Sequence, residues 1–237
     1  MSARDSWSLS PIFLFLIFFV LCIDLRFCDV YQLDRLFNSE VIYMPRIARI
    51  VIPEVPHHLT HRGNNRETIF RSNADIEAYI AILKRYSQKY GFRILGYCLM
   101  KNHVHIIGIP MRKNSMAKLI GVGHMFFARQ MNEKYGRIGH LWQGRYFSCA
   151  LNDMHLFAAL RYVEQNPVRS EIVNFAWEYE WSSASAHING DDKKDIIDSN
   201  LWSMDKSEWK EILSQCNNDA EIGLIRTHTK TGRPLMV

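Results

Sequence analysis

With 237 residues, 48% hydrophobic and 22% charged, the chain holds enough apolar material for one sizeable core, which excludes a fibrous or wholly disordered protein. The net charge of +5 is unevenly placed. Residues 44–190 carry 19 Lys+Arg against 10 Asp+Glu, a net of +9, while residues 1–43 and 191–237 each sum to −2. A basic block of this size favours a polyanionic partner, most simply nucleic acid, through long-range attraction and counterion release; the plain alternative is a solvated basic surface with no partner.

In chain order, the first feature is Ile12 to Ile23, an uninterrupted apolar run of 12 residues. A spanning helix needs about 20. The run has the length of a signal-peptide apolar region, but Arg4 and Asp5 cancel and no small-residue cleavage site follows. The change of composition after Met44, into PRIARIVIP, fits a true start at that methionine, and a structural helix is the third reading. We expect residues 1–43 to be a leader or gene-call extension outside the fold.

From Arg49 a β-rich run leads past Pro56 into His58-Leu59-Thr60-His61-Arg62, and one strand is expected across this region, closed by the Gly63-Asn64-Asn65 turn. Ser72 or Asn73 caps a helix with Ile76, Tyr79, Ile80, Leu83, Tyr86 and Tyr90 on one face, ended by Gly91. Phe92 to Leu99 and His103 to Ile109 read as a hairpin. A second helix runs from Ser115 to about Gly136, with Met116, Leu119, Ile120, Phe126, Phe127 and Met131 as apolar positions. Trp142 to Leu151 reads as a strand, and Met154 to Gln165 as a third helix stopped by Pro167. The order β-α-β-β-α-β is the split β-α-β plan of an α+β, ferredoxin-like sandwich, an antiparallel sheet with helices on one face, followed by a further helix. Past Gly190 the acidic stretch GDDKKDIID reads as a linker, with a short helix around Ser207–Cys216 and a basic tip at Thr231-Gly232-Arg233-Pro234. The five cysteines form no CxxC, and Cys98 and Cys149, inside apolar runs, read as small core residues in a reducing compartment.

Two constellations carry chemistry. In His103-Val104-His105, strand alternation points both imidazoles to one face and Val104 to the other, so the pair can reach one cation; Asn102 and His58 are polar neighbours able to orient the rings. The competing reading is one hydrogen-bonded core histidine and one at the surface. In Arg161-Tyr162-Val163-Glu164-Gln165-Asn166-Pro167, Tyr162 and Asn166 share a helix face, a phenol beside an amide that can ligate a metal; Pro167 places Asn166 near the helix end. Standing alone, Tyr162 reads as a packed ring with its hydroxyl at the surface.

The segments HVHIIG, GHLWQGRY and LRYVEQNPVR, with the opening MPRIARIVIPEVPHHLTHRGNN, resemble the REP-associated tyrosine transposases, relatives of the IS200-like transposases, from about Met44 to Ala186 and again at TKTGRPL. The resemblance implies an HUH nuclease that cuts and rejoins single-stranded, hairpin-bearing DNA, with residues 44–190 as the nuclease domain. It makes His103 and His105 the metal pair, Asn166 the third ligand and Tyr162 the nucleophile, with Mg²⁺ or Mn²⁺ as cofactor; Zn²⁺ would also suit such ligands. It implies a cytoplasmic protein without stable membrane association, and a site formed within one subunit or across a homodimer. In the family the tip continues into further sequence, so a chain stopping at Val237 is expected to be truncated.

For DNA contact, Arg62, Asn64, Asn65 and Arg66 flank a turn suited to phosphate binding, and Trp142, Gln143 and Arg145 offer an aromatic face beside a cation, with core packing as the other reading of Trp142 and Tyr146. Arg129, Lys134 and Arg137 read as readily as a solvated face. Two other readings stand beside the nuclease: a non-catalytic nucleic-acid binder on the same fold, and a tethered or secreted zinc hydrolase, which would need an acidic ligand or base near the histidines.

Overall fold

The computed structural model describes residues 49–202, 204–215 and 219–235, so the reading of residues 1–43 lies outside the described residues. Its elements are β1 (His57–Arg62), α1 (Asn73–Tyr90), β2 (Phe92–Met100), β3 (His103–Pro110), α2 (Ser115–Tyr135), β4 (Phe147–Ala150), α3 (Asp153–Glu164), the single turn α4 (Asn166–Arg169), α5 (Ala184–Asn189), α6 (Lys206–Ser214) and α7 (Asp219–Thr231). The strands pair antiparallel in the order β2-β3-β1-β4. That is the expected α+β, ferredoxin-like plan, with β3 inserted between β1 and β2.

Local chemistry explains the boundaries. The Asp75 carboxylate accepts the backbone N–H groups of Arg71 (2.8 Å) and Ser72 (2.9 Å), which fastens the start of α1. Gly91 ends that helix at φ 64°, a left-handed conformation costly for a residue with a Cβ. Two residues, Lys101 and Asn102, then close the β2–β3 hairpin.

Alternation divides the strand residues between two cores. Leu59, Ile94, Tyr97, Leu99, Val104 and Ile106 pack with Tyr79 and Leu83 of α1 and with Met116, Leu119 and Phe127 of α2. On the opposite face Cys98, Met100, Ile107 and Cys149 pack with Leu160 and Val163 of α3, Trp209 of α6, and Ile222 and Ile225 of α7. The sheet is therefore covered on both sides. A bulge at Leu95 shifts the register between Ile94 and Gly96 and turns Gly96 toward α3. A Cβ on Gly96 would stand 2.5 Å from Leu160 Cδ2 and 3.1 Å from Ser183 Oγ, so a larger residue there would require the Leu160 side chain to shift.

Several expectations need correction. The strand starts at His57 rather than Arg49, because a turn at Pro53-Glu54, with Glu54 at φ 62°, and the missing N–H of Pro56 break the run. The His57 ring holds the upstream segment instead, with Nδ1 donating to Val55 O (2.7 Å) and Nε2 accepting from Ile52 N–H (3.3 Å). The strand expected from Trp142 begins only at Phe147. Trp142 makes a single bridge to Gly63, and Gly144, at φ 57°, bends the chain away. Phe126 is 44% exposed and stacks on Tyr86 rather than entering the core. The third helix ends at Glu164, and Pro167 sits in the first turn of α4, where its missing N–H costs little.

Past Gly190 the chain lies against β2: Asp198 N–H donates to Ile94 O (2.8 Å), its carboxylate accepts from Arg93 Nε (2.6 Å), and Ile196 is buried. Helix α7, read from the sequence only as part of a tip, packs against β4 and β1, and Leu235 bridges to Leu151. No helix among the described residues is long and apolar enough to cross a membrane.

Candidate active site

The face of the sheet under α3 and α7 brings the sequence candidates together within one chain. Register sets Arg62 beside His103 and Thr60 beside His105. The two imidazoles stand with ring centroids 5.0 Å apart and planes at 83°. Tyr162, on the inner side of α3, meets His105 edge-on at 5.7 Å and His58 at 6.0 Å. One turn beyond, Asn166 Nδ2 is 3.5 Å from His103 Nε2. Asn102 and His58 both contact the rings they were expected to orient: His103 Nδ1 lies 2.7 Å from Asn102 Oδ1, and His105 Nδ1 lies 2.9 Å from His58 Nε2.

Burial keeps these imidazoles neutral. Desolvation, then the Arg62 guanidinium, lowers the His103 pKa to about 4. His105 is lowered further by burial, with His58, His103, Arg169 and Arg62 acting in the same direction, and burial alone lowers His58 to about 3. Neutral imidazoles with lone pairs available are the form that binds metal.

The donor set fits one hard or borderline cation. With Nδ1–H of His103 given to the Asn102 oxygen, its Nε2 lone pair points toward Asn166, whose amide presents oxygen after a half-turn of its terminal group. Among the described residues no three His, Cys, Asp or Glu side chains are placed to hold a metal ion together; a candidate set of two imidazoles plus an amide would leave positions for water and a phosphate oxygen.

Arginines surround the phenol. Arg169 Cζ stands 4.4 Å over the Tyr162 ring, and its Nη2 donates to the Tyr162 carbonyl. Burial lowers the Arg169 pKa to about 10, which leaves it charged at neutral pH. Arg226 of α7 donates from Nε to Tyr162 Oη at 3.4 Å. Arg226 and Thr229, whose Oγ1 is 2.9 Å from His58 Nδ1, were absent from the sequence reading; the only signal was a helical stretch of modest apolar content.

The remaining candidates divide. Arg62, Asn65, Arg66, Gln143 and Arg145 are exposed and Asn64 is half-buried, with Asn65 and Arg66 at φ 50° and 60°. Trp142 is not a free stacking platform: it is 8% exposed, stacked on His124 (4.0 Å) and His61 (4.8 Å), and its Nε1–H donates to His124 O (3.2 Å). It belongs to the core on the far face of the sheet, together with Tyr146.

Comparisons with known proteins bear on the family and the fold. The family described as Transposase IS200 like matches residues 52–166, which span His58, both candidate metal histidines, Tyr162 and Asn166 and stop before α5 to α7. No curated protein matches the chain. Among solved structures it is similar to a REP-associated tyrosine transposase bound to a REP hairpin, at 16% identity and a TM-score of 0.50, over 69% of this chain and 93% of that one. That likeness is one of fold. Weaker similarities are to a candidate transposase of Deinococcus radiodurans R1 (15% identity, TM-score 0.37, 51% of this chain and 96% of that one) and to the tRNA(His) guanylyltransferase of Saccharomyces cerevisiae (12%, 0.39, 80% and 83%).

Proposed function

The chain belongs, through residues 52–166, to the IS200-like transposase family, and on that premise we propose that it cuts and rejoins single-stranded, hairpin-bearing DNA with Tyr162 as nucleophile. The observation that carries this reading is the meeting of Tyr162 with His105, ring to ring at 5.7 Å, on the face that also holds His103 and Asn166. Tyr162 Oη forms a bond to the scissile phosphorus while the bond to the 3′ oxygen breaks. The phenol gives up its proton, and the leaving oxygen takes one to become a 3′-OH. The product is a 5′-phosphotyrosine linkage whose reversal by another 3′-OH joins strands without a nucleotide cofactor.

A phenol is a weak nucleophile at neutral pH, so the site must orient it and offset phosphate charge. Arg226 donates to the phenol oxygen and Arg169 covers its ring, two cations that would offset the charge of a phosphate brought to Tyr162. His103, His105 and Asn166 would hold Mg²⁺ or Mn²⁺, which supplies charge neutralisation and orientation at the scissile phosphate. Arg62, Asn64, Asn65, Arg66, Gln143 and Arg145 would contact the strand, while Trp142 would not stack on bases. The hairpin bound by the structural neighbour supports a folded single strand as substrate.

The test is incubation of Tyr162→Phe with a hairpin-bearing oligonucleotide. The wild-type protein should give a covalent adduct on a denaturing gel, and the variant none, with hairpin affinity within about twofold because only one hydroxyl is lost. An adduct persisting in the variant overturns the assignment.

A further inference from the structure

Helix α7 lies outside the matched family segment, yet it reaches the metal-binding strand through an unbroken chain of side chains. Thr229 Oγ1, 3% exposed as a residue, is 2.9 Å from His58 Nδ1, and His58 Nε2 is 2.9 Å from His105 Nδ1; at the far end, Cys149 Sγ is 3.5 Å from Thr229 Oγ1. A neutral imidazole has one N–H and one lone pair, so with each ring nitrogen of His58 and Nδ1 of His105 in a hydrogen bond the chain admits only two proton arrangements. In the first, His105 donates from Nδ1 to His58 Nε2, His58 donates from Nδ1 to Thr229, and the threonine hydroxyl turns toward Cys149. In the second, the hydroxyl donates to His58, and His58 donates from Nε2 to His105 Nδ1. The His105 proton then sits on Nε2, where it blocks ligation.

Only the first arrangement leaves His105 Nε2 with a lone pair for a cation. We propose that Thr229, acting through His58, is a positioning residue that holds His105 in its metal-binding tautomer, so that α7 is part of the metal site. This rests on the reading of His105 as a ligand given above. A metal-bound histidine ordinarily donates its other N–H to an acceptor that fixes ring and tautomer, and loss of that partner costs about 10- to 100-fold in metal affinity. Here the acceptor is a second histidine, whose own proton must be taken up by the threonine.

Valine has nearly the shape of threonine but cannot accept a hydrogen bond. In Thr229→Val the His58 proton loses its partner at Nδ1, moves to Nε2 and is donated to His105, reversing the chain. The experiment uses the full chain, metal-free and then titrated with Mn²⁺, with bound and free ion distinguished by electron paramagnetic resonance. Long-range ¹H–¹⁵N correlation spectra of the metal-free protein report which ring nitrogen of His105 carries the proton.

Wild type and Thr229→Ser should show the proton on Nδ1, and Thr229→Val on Nε2. Mn²⁺ affinity should fall about 10- to 100-fold in the valine variant and return to within about threefold in the serine variant. Unchanged affinity and tautomer in Thr229→Val would overturn the proposal, as would a serine variant as weak as the valine one, which would indicate packing rather than hydrogen bonding. A wild-type protein that binds no Mn²⁺ would instead sink the metal reading itself, and the two failures are thereby distinct.

Discussion

The sheet carries a histidine cluster on each face, and the two differ in how their hydrogen bonds end. Under α1 and α2, His61 Nε2 is 3.3 Å from Gly144 O, His61 Nδ1 is 2.7 Å from His124 Nδ1, and His124 Nε2 is 2.8 Å from Tyr79 Oη. A carbonyl only accepts, so with neutral rings every proton is fixed: His61 donates to Gly144, His124 to His61, and Tyr79 to His124. Trp142 stacks over both rings and closes the cluster. Under α3 and α7 the chain ends at one side on the Thr229 hydroxyl, which in the proposed arrangement accepts from His58 and turns toward Cys149, and at the other on ring nitrogens beside Tyr162 and Asn166. The same residue type at His58 and His61, three apart on β1, thus makes a closed core cluster on one face and an open-ended chain, the proposed ligand set, on the other. What distinguishes the two clusters is the chemistry at the end of each chain, since burial is similar on both sides.

The sharpest way to break this contrast is to remove an imidazole from the open face. His105→Ala or His103→Ala should lower metal-dependent cleavage by about 10³-fold, the several kcal/mol expected when a cation no longer offsets charge in the transition state. Hairpin retention on a filter should change little. Cleavage surviving in chelator would leave both faces structural.

The closed face should answer in stability instead. Trp142→Ala removes a buried ring and uncovers His61 and His124, at a cost of about 3 kcal/mol, read as a lower denaturant midpoint at unchanged slope. At equal folded fraction, hairpin affinity should match wild type. Weaker binding without lost stability would restore Trp142 as a base-stacking surface.

Acid should act on both faces alike. His58 on the open side titrates at about 3 and His61 on the closed side at about 4, both below the 6.5 of an exposed imidazole. Between those values the unfolded chain binds protons that the folded one refuses, so stability is complete above about pH 6.5 and is lost as pH falls toward 4. Each residue should cost about 2 kcal/mol on going from pH 7 to 5, measured by denaturant titration at both values. A flat profile would mean that the folded protein protonates these rings without penalty, contrary to their burial.

Much of this contrast was legible in the chain, for reasons that also explain what was not. A period of two suffices to put His103 and His105 on one face, because alternation is a property of regular strand. The spacing of four between Tyr162 and Asn166 instead crosses the end of α3 at Glu164, so helix regularity alone does not carry that pair. Trp142 escaped because an aromatic beside Gln143 and Arg145 satisfies a stacking surface and a core position equally well, and only the fold supplies the rings that cover it. The β-branched run from Arg49 looked like strand, but Pro53 and Pro56 outweighed its propensity. Helix α7 has Gly223 and three threonines in thirteen residues and is held by packing rather than propensity. Thr229 lies 171 residues from His58, a separation no local pattern can bridge.

The smallest effects should come from the exposed cations, and they sharpen the contrast by position. Arg62 pairs in register with His103, whereas Arg145 follows the Gly144 carbonyl that ends the closed cluster. If both touch phosphate, Arg62→Ala and Arg145→Ala should each weaken hairpin binding a few-fold and reduce the slope of log affinity against log salt by about 1. Their consequences for cleavage should then separate. Arg62 is the charged neighbour that lowers the His103 pKa, so its removal acts on the ring as well as on the strand, and cleavage at saturating DNA should shift with pH. Arg145 has no such link, and at saturating DNA its variant should cut at the wild-type rate across the same pH range. Salt slopes measured by fluorescence anisotropy, together with single-turnover cleavage at pH 5 and 7, decide the matter: an unchanged slope removes that arginine from the DNA path, and identical pH profiles for the two variants would show that Arg62 serves the strand alone.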